Sequence, residues 1–134
     1  MRWLARQKTM IYFRRDNMTS PIRVSVFNVV GNSFCVDATD GEAVFATLSK
    51  AVQQNQPVEL SFQNVDMLTS AFLNTAIGQL YRDFSEKQVR DLLSVTDITT
   101  EDKVLLKRVI ETAKLYYKDP QWLEDSIKKI MGEE

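Results

Sequence analysis

Two adjoining segments of this sequence predict a strand that leads into a helix. In Val58–Phe62 (VELSF) apolar and polar residues alternate, which is typical of a strand with one buried face. The segment that follows has an apolar stripe at helical spacing, made of Phe72, Leu73, Ala76, Ile77, Leu80 and Phe84. A helical stripe beside an alternating strand has to pack on the sheet that the strand belongs to. The pair therefore predicts an α/β fold.

Three further strands are predicted. IRVSVF from Ile22 alternates, and Gly31-Asn32 then marks a turn before SFCV, so we expect a β-hairpin between these two segments. LSVTDI from Leu93 reads as a fourth strand. The predicted order is β-β-α-β-α-(α)-β-α-α, in a small sandwich with an about four-stranded mixed sheet packed against helices.

The helix starts are indicated by capping residues. Thr39 with Glu42, and Ser85 with Gln88, have the spacing of capping boxes, and Thr99 precedes a long helix. Gly78 lies inside the predicted helix, where glycine is less favourable than alanine. We therefore expect close packing of that helix against the sheet as the reason for this glycine.

The chain divides into three parts by composition. Residues 1–20 form a basic N-terminal leader, read either as an arm that touches a partner or as a loose segment, an added strand or a mis-assigned start. Residues 21–118 form the predicted domain. Asp119-Pro120 is a strong helix-start signal and predicts a C-terminal helix over residues 119–134.

The composition of the 134 residues limits the chemistry. The chain has no histidine, which excludes serine–histidine and cysteine–histidine catalysis and histidine metal ligands. Its one cysteine, Cys35, cannot form an internal disulfide and is expected to be buried and inert. A net charge of −1 gives no electrostatic argument for nucleic acid or membrane. A single cysteine fits a reducing cytoplasm, and no residue pattern indicates a metal or cofactor, so we expect neither.

One long segment carries a resemblance. VELSFQNVDMLTSAFLNTAIGQLY, with DGE at residues 40–42 before it and FSEKQV after it, resembles the STAS-like domain family of unknown function. The likeness covers about residues 22–117, and relatives of this family are the sulfate transporter and anti-sigma-factor antagonist domains. The resemblance implies a cytoplasmic regulatory module that is not an enzyme. In the antagonists, the loop before this helix ends in Asp-Ser-Ser-Gly, and a kinase related to histidine-kinase ATPases phosphorylates the second serine. The unphosphorylated form binds that kinase and frees a sigma factor.

This sequence departs from that pattern at the modified position. The Asp falls on Thr69, the first serine on Ser70, the second serine on Ala71 and the glycine on Phe72. Ala71 has no hydroxyl, so either Ser70 or Thr69 is the phosphorylated residue or the protein does not switch by phosphorylation. A hydroxyl at this place can also serve only as a helix cap.

The resemblance implies a partner-binding surface around the same helix start. This surface would be the Asp66–Asn74 region, in which Asp66, Met67 and Asn74 flank Thr69 and Ser70. The Asn32–Glu42 loop, with Asp40 and Glu42, would join it, unless these two acids only favour the helix dipole. The expected partner is a protein, a histidine-kinase-like ATPase or an anti-sigma factor, with no nucleic acid and no membrane. The oligomeric state is open, with a homodimer as one alternative. Competing functions are a prophage or defence accessory scaffold and a small nucleotide-binding module.

Overall fold

Helices cover one face of a three-stranded parallel sheet in the computed structural model, which describes residues 20–118, 128–130 and 132. The strands are β1 (Ile22–Ser25), β2 (Phe34–Cys35), β3 (Val58–Ser61), β4 (Met67–Leu68) and β5 (Leu93–Thr96). The helices are α1 (Val26–Val30), α2 (Ala38–Gln53), α3 (Ser70–Leu73), α4 (Leu80–Asp83), α5 (Glu86–Leu92) and α6 (Thr100–Lys118), with a π-helical turn (Asn74–Gly78) between α3 and α4. The α/β class predicted from the sequence is confirmed.

The main sheet has the order β1-β3-β5 with all pairings parallel. Because side chains alternate along each strand, the sheet has one apolar and one polar face. Val24, Leu60 and Val95 are in register on the apolar face, and Ser25, Ser61 and Thr96 are in register on the polar face. The apolar face packs on the helices. Parallel sheets are usually covered on both sides, so a wholly polar second face is uncommon.

One arginine links all three strands across the polar face. The Arg23 guanidinium lies 2.7 Å from the Glu59 carboxylate and 2.8 Å from that of Asp97, which follows β5. Ser61, fully buried, donates a hydrogen bond of 2.7 Å to Asp97 and accepts one of 3.0 Å from Arg23. The buried hydroxyl is therefore satisfied as both donor and acceptor.

The predicted β-hairpin is wrong. After Ser25 the chain enters α1, because the Ser25 hydroxyl caps it by accepting a hydrogen bond from the Asn28 amide. The helix ends at Gly31, whose φ of 80° is readily adopted by glycine. β2 then pairs in parallel with β4, two residues that we had assigned to no strand. Across residues 20–118 every strand pairing is parallel, so the predicted four-stranded mixed sheet is also corrected.

The predicted cap of α2 is also wrong. Asp37 holds the extended N-cap conformation, and its carboxylate accepts a hydrogen bond of 3.0 Å from the Asp40 amide. Thr39 lies inside the first turn, and Glu42 has no capping role. Aspartate is at least as good an N-cap residue as threonine, and Asp37 begins the helix two residues earlier than predicted. The other two caps are confirmed, with hydrogen bonds of 3.1 Å to Ser85 and to Thr99 from backbone amides.

The helix from Ser70 to Asp83 is confirmed, but it contains a π turn that the periodicity did not indicate. The Gln79 amide donates to the Asn74 carbonyl, five residues back, at 3.1 Å. Five of the six residues of the apolar stripe are fully buried, namely Phe72, Leu73, Ala76, Ile77 and Leu80. Gly78 faces Ala113 and Val109 of α6 rather than the sheet, which corrects the explanation given for this glycine.

The two terminal predictions lie largely outside the described residues. This is true of the basic leader, except for residue 20, and of most of the C-terminal helix, of which residues 128–130 are helical. None of the helices in the described residues has both the length and the apolar character needed to cross a membrane.

Candidate functional site

Thr69 is the N-cap of α3, and its hydroxyl both accepts and donates a hydrogen bond. Its backbone is extended, with φ −126° and ψ 161°, and Oγ1 accepts a hydrogen bond of 3.2 Å from the Phe72 amide. The same hydroxyl donates a hydrogen bond to the Val36 carbonyl, just after β2. Thr69 therefore begins the helix and also ties it to the neighbouring strand segment. Any modification of its oxygen would remove the donor.

Ser70 is placed differently. It is the first residue of α3 and is exposed, and its hydroxyl has no hydrogen-bond partner among residues 20–118. Ala71 beside it is exposed too but carries no hydroxyl. Of the two candidate hydroxyls, only that of Ser70 is open to a partner or a kinase without loss of a structural hydrogen bond.

The short β2–β4 pairing places two large apolar side chains at the surface next to this helix start. Phe34 and Met67 are opposite each other in the register and are 53% and 51% exposed, while Cys35 and Leu68 are buried beneath. Burial of the alternate residues forces these two outward. Phe34 lies within the predicted Asn32–Glu42 loop but was not singled out, since its proximity to Met67 depends on the parallel pairing of β2 with β4. The short apolar run in SFCV, which predicts a strand, was the only signal for it.

The remaining predicted residues on this stretch are also exposed. Asp66 is exposed, and its amide donates a hydrogen bond of 2.8 Å to the Ser33 carbonyl, which fixes the loop against the start of β2. Asn74 is exposed at the beginning of the π turn, four residues after Ser70. Residues at this spacing share a helix face, so Asn74 lies above Ser70. π turns are frequent at functional sites.

The two acids predicted to join from α2 do not lie together. Asp40 is close to the buried Cys35, whose pKa it helps to raise. Glu42 instead interacts electrostatically with Arg82 of α4, whose side-chain pKa is raised. The main cause of that rise is the hydrogen bond to Asp83, and the Glu42 carboxylate adds to it. The structure therefore brings Asp40 towards the β2–β4 pair and sets Glu42 apart from the start of α3.

Cys35 is buried, as expected. Desolvation, with a smaller contribution from the Asp40 carboxylate, raises the pKa of its thiol to about 11. The thiolate that would act as a nucleophile is thus disfavoured at neutral pH. Across the described residues, no group of three or more cysteine, aspartate or glutamate side chains is arranged to hold a metal ion.

A groove runs between the start of α3 and α6. The residues that line it are Ser70, Asn74, Leu105, Arg108, Val109 and Thr112, and its volume is about 260 Å³. A second depression continues from Asn74 along α6 towards the edge-to-face pair of Tyr116 and Tyr117. Arg108 was not predicted as a site residue, because nothing in the sequence places α6 beside Ser70.

Comparison with known proteins gives one finding. Searches of curated proteins and of solved structures gave no significant match. A family described as "STAS-like domain of unknown function (DUF4325)" matches residues 40–103, which include most of α2, the Thr69–Ser70 helix start, β5 and the beginning of α6. The resemblance drawn from the sequence is thus confirmed, over a shorter segment than the one we had assigned. Residues 40–103 of this chain match the family of STAS-like domains of unknown function.

Proposed function

We propose that this chain is a regulatory protein-interaction module that binds a protein partner through the surface around the start of α3. The surface, called here the α3 surface, consists of Phe34, Asp66, Met67, Ser70 and Asn74. The module acts in the cytoplasm and has no catalytic activity of its own. The family description supports a regulatory or interaction role in general terms, and the choice of surface rests on the exposed side chains.

The observation that carries the proposal is the difference between Thr69 and Ser70. The Thr69 hydroxyl is occupied by the Phe72 amide and the Val36 carbonyl, whereas Ser70 is exposed. A helix start needs only one capping hydroxyl. The second hydroxyl therefore has no structural task in residues 20–118, and it stands beside exposed apolar side chains.

Phe34 and Met67 support a protein partner. Both are about half exposed and directly paired, so they form one continuous apolar patch next to the start of α3. Aromatic and methionine side chains are enriched in the cores of protein interfaces. Burying this pair against a partner would gain hydrophobic free energy without any change in the fold of the chain.

The proposed regulator is phosphorylation of Ser70 by an ATPase of the histidine-kinase type, which would also be the bound partner. The Ser70 oxygen would attack the γ-phosphorus of ATP, the bond from that phosphorus to the β–γ bridging oxygen would break, ADP would leave, and a base of the kinase would take the hydroxyl proton. The phosphate would add about two negative charges beside the Phe34–Met67 pair. Such charge disfavours burial of an apolar contact, so the modified form would release the partner.

The experiment is a crosslinked pull-down of the full-length chain from its native host, read by mass spectrometry. We expect capture of an ATPase of the histidine-kinase type, lost with Met67→Ser and retained with Leu115→Ser. Leu115 is the matched control, because it is exposed to a similar extent, 52%, but lies on α6 away from the α3 surface. Intact-mass analysis of the chain under several growth states tests the phosphate, with Ser70→Ala as the control.

Two outcomes would contradict the proposal. Equal loss of the ATPase with Met67→Ser and Leu115→Ser would show that the α3 surface is not the contact. Recovery of only self-association, or of proteins without such an ATPase, would reduce Ser70 to an ordinary surface residue. An unmodified mass in every growth state would remove the phosphorylation step and leave the binding surface to be tested alone.

A further inference from the structure

The groove between α3 and α6 has an unusual arrangement of donors. Its floor is apolar, formed by Leu105 and Val109, and its polar lining side chains are Ser70, Asn74, Arg108 and Thr112. Arginine, asparagine and threonine all carry hydrogen-bond donors. None of the six lining residues is an aspartate or a glutamate. The groove therefore combines one cation with neutral donors and has no acid of its own.

Arg108 is directed to this groove by the helical repeat of α6. Residues 105, 108, 109 and 112 are spaced i, i+3, i+4 and i+7, which puts them on one face of the helix. The buried Val109 shows that this face is the one packed on the core, and Arg108 lies at its border. Among the described residues, no carboxylate lies within 4.0 Å of its guanidinium. Its charge is thus available to an anion that enters the groove.

We infer that Arg108 is the intramolecular receptor for a phosphate on Ser70. This inference rests on the proposed phosphorylation of that residue and adds what the phosphate binds. Guanidinium and phosphate form paired, charge-assisted hydrogen bonds, which are stronger than those between neutral groups. The Asn74 amide and the Thr112 hydroxyl supply further donors around the same groove. A phosphoserine at position 70 would tie the start of α3 to α6.

The inference accounts for the position of the hydroxyl. Ala71 is exposed but does not line the groove, whereas Ser70 does. A phosphate at position 71 would have no neighbouring arginine on this groove. The Ser70 hydroxyl stands one residue earlier than the phosphorylated serine of the antagonist pattern. At this position it shares the groove with Arg108 of α6. The bound phosphate would remain on the chain's own surface beside the Phe34–Met67 pair.

The test uses the full-length chain with phosphoserine incorporated at position 70 during synthesis. The second pKa of the phosphate, ordinarily about 6, is measured by phosphorus NMR titration. A guanidinium in contact favours the dianion, so we expect this pKa to rise by several tenths of a unit on Arg108→Gln. Lys107→Gln is the matched control, since it removes a neighbouring exposed charge on α6 that does not line the groove. It should raise the pKa much less.

A second measurement does not depend on a variant. The side-chain Nε resonance of Arg108 should shift between the unmodified and the phosphorylated wild-type chain, and it should move with the phosphate titration. Equal phosphate pKa values in all three proteins, or an Arg108 resonance that ignores the phosphate, would overturn the inference. Because the phosphate is installed without a kinase, these results stand apart from whether a partner ATPase exists.

Discussion

Gly41 of α2 lies directly against the main chain of α3, and a Cβ atom built on it would stand 2.8 Å from the carbonyl oxygen of Phe72. It would also be 2.9 Å from the Cβ of Thr75. Phe72 and Thr75 belong to one continuous helical segment, so neither can move away from Gly41 without shifting the other. The absence of a side chain at Gly41 thus sets how closely α2 approaches the helix that carries Ser70 and Asn74.

Gly41→Ala should lower the free energy of unfolding by about 1–3 kcal/mol, since the added methyl group has to push two helices apart. Gly78→Ala is the matched control. There the new Cβ would meet its nearest atom at 3.6 Å, and alanine favours the helix by up to about 1 kcal/mol. Chemical denaturation of both variants checks the pair. A Gly41→Ala protein as stable as the wild type would show that α2 and α3 are not held at this distance.

Thr69→Ala should destabilise the protein by about 1–2 kcal/mol, because it removes both the cap of α3 and the tie to Val36. Thr69→Ser should restore most of that loss, since it keeps the hydroxyl. Ser70→Ala should change stability by less than about 0.5 kcal/mol, as expected for an exposed side chain without a partner. Equilibrium denaturation measures all three. A large loss in Ser70→Ala would show a structural task for this hydroxyl and weaken its assignment to partner binding.

Cys35 should react slowly with thiol reagents in the folded protein. Its side chain is fully buried, and burial raises the pKa of the thiol to about 11, so little thiolate exists at pH 8. The rate of reaction with a chromogenic disulfide should be at least about tenfold lower at pH 8 than in denaturant, where the pKa returns to about 8.5. Similar rates in the two states would contradict the burial of this residue.

Asp97 should give the stability a dependence on acid. Hydrogen bonds from Ser61, and next from Arg23, lower the pKa of its carboxyl in the folded state. The stabilisation is therefore fully present above the unfolded-state pKa and is lost as the pH falls through the lowered folded-state value. The difference in unfolding free energy between wild type and Asp97→Asn should be largest near neutral pH and shrink on acidification.

The control for that titration is Asp66→Asn. The Asp66 carboxylate is exposed and has no side-chain hydrogen bond or ion pair within residues 20–118, so its removal should change stability at neutral pH by less than about 0.5 kcal/mol. Wild type and Asp97→Asn that lose stability in parallel from pH 7 to pH 3 would show that the Arg23–Ser61–Asp97 contacts do not stabilise the fold.

Local patterns in the sequence were sufficient for several elements that depend on neighbours along the chain. The alternation in β3 and β5, the buried stripe of Phe72 to Leu80 and the caps at Ser85 and Thr99 were all predicted. Each of these follows from one residue repeat or one hydrogen bond over a few residues. The helix start at Thr69 belongs to the same group, because a hydroxyl followed by an apolar stripe is a local signal.

The tertiary structure decided what depends on distant segments. The apolar run in SFCV could not tell a hairpin from a parallel pairing with β4, more than thirty residues away, and the parallel pairing put Phe34 next to Met67. The meeting of Arg108 with Ser70 depends on how α6 packs. The sequence determined which residues of the Phe72–Leu80 stripe are buried and where the helices capped by Thr69, Ser85 and Thr99 begin. Which exposed residues then share a surface was decided by long-range packing, because strand pairing and helix contact join segments whose separation leaves no periodic trace.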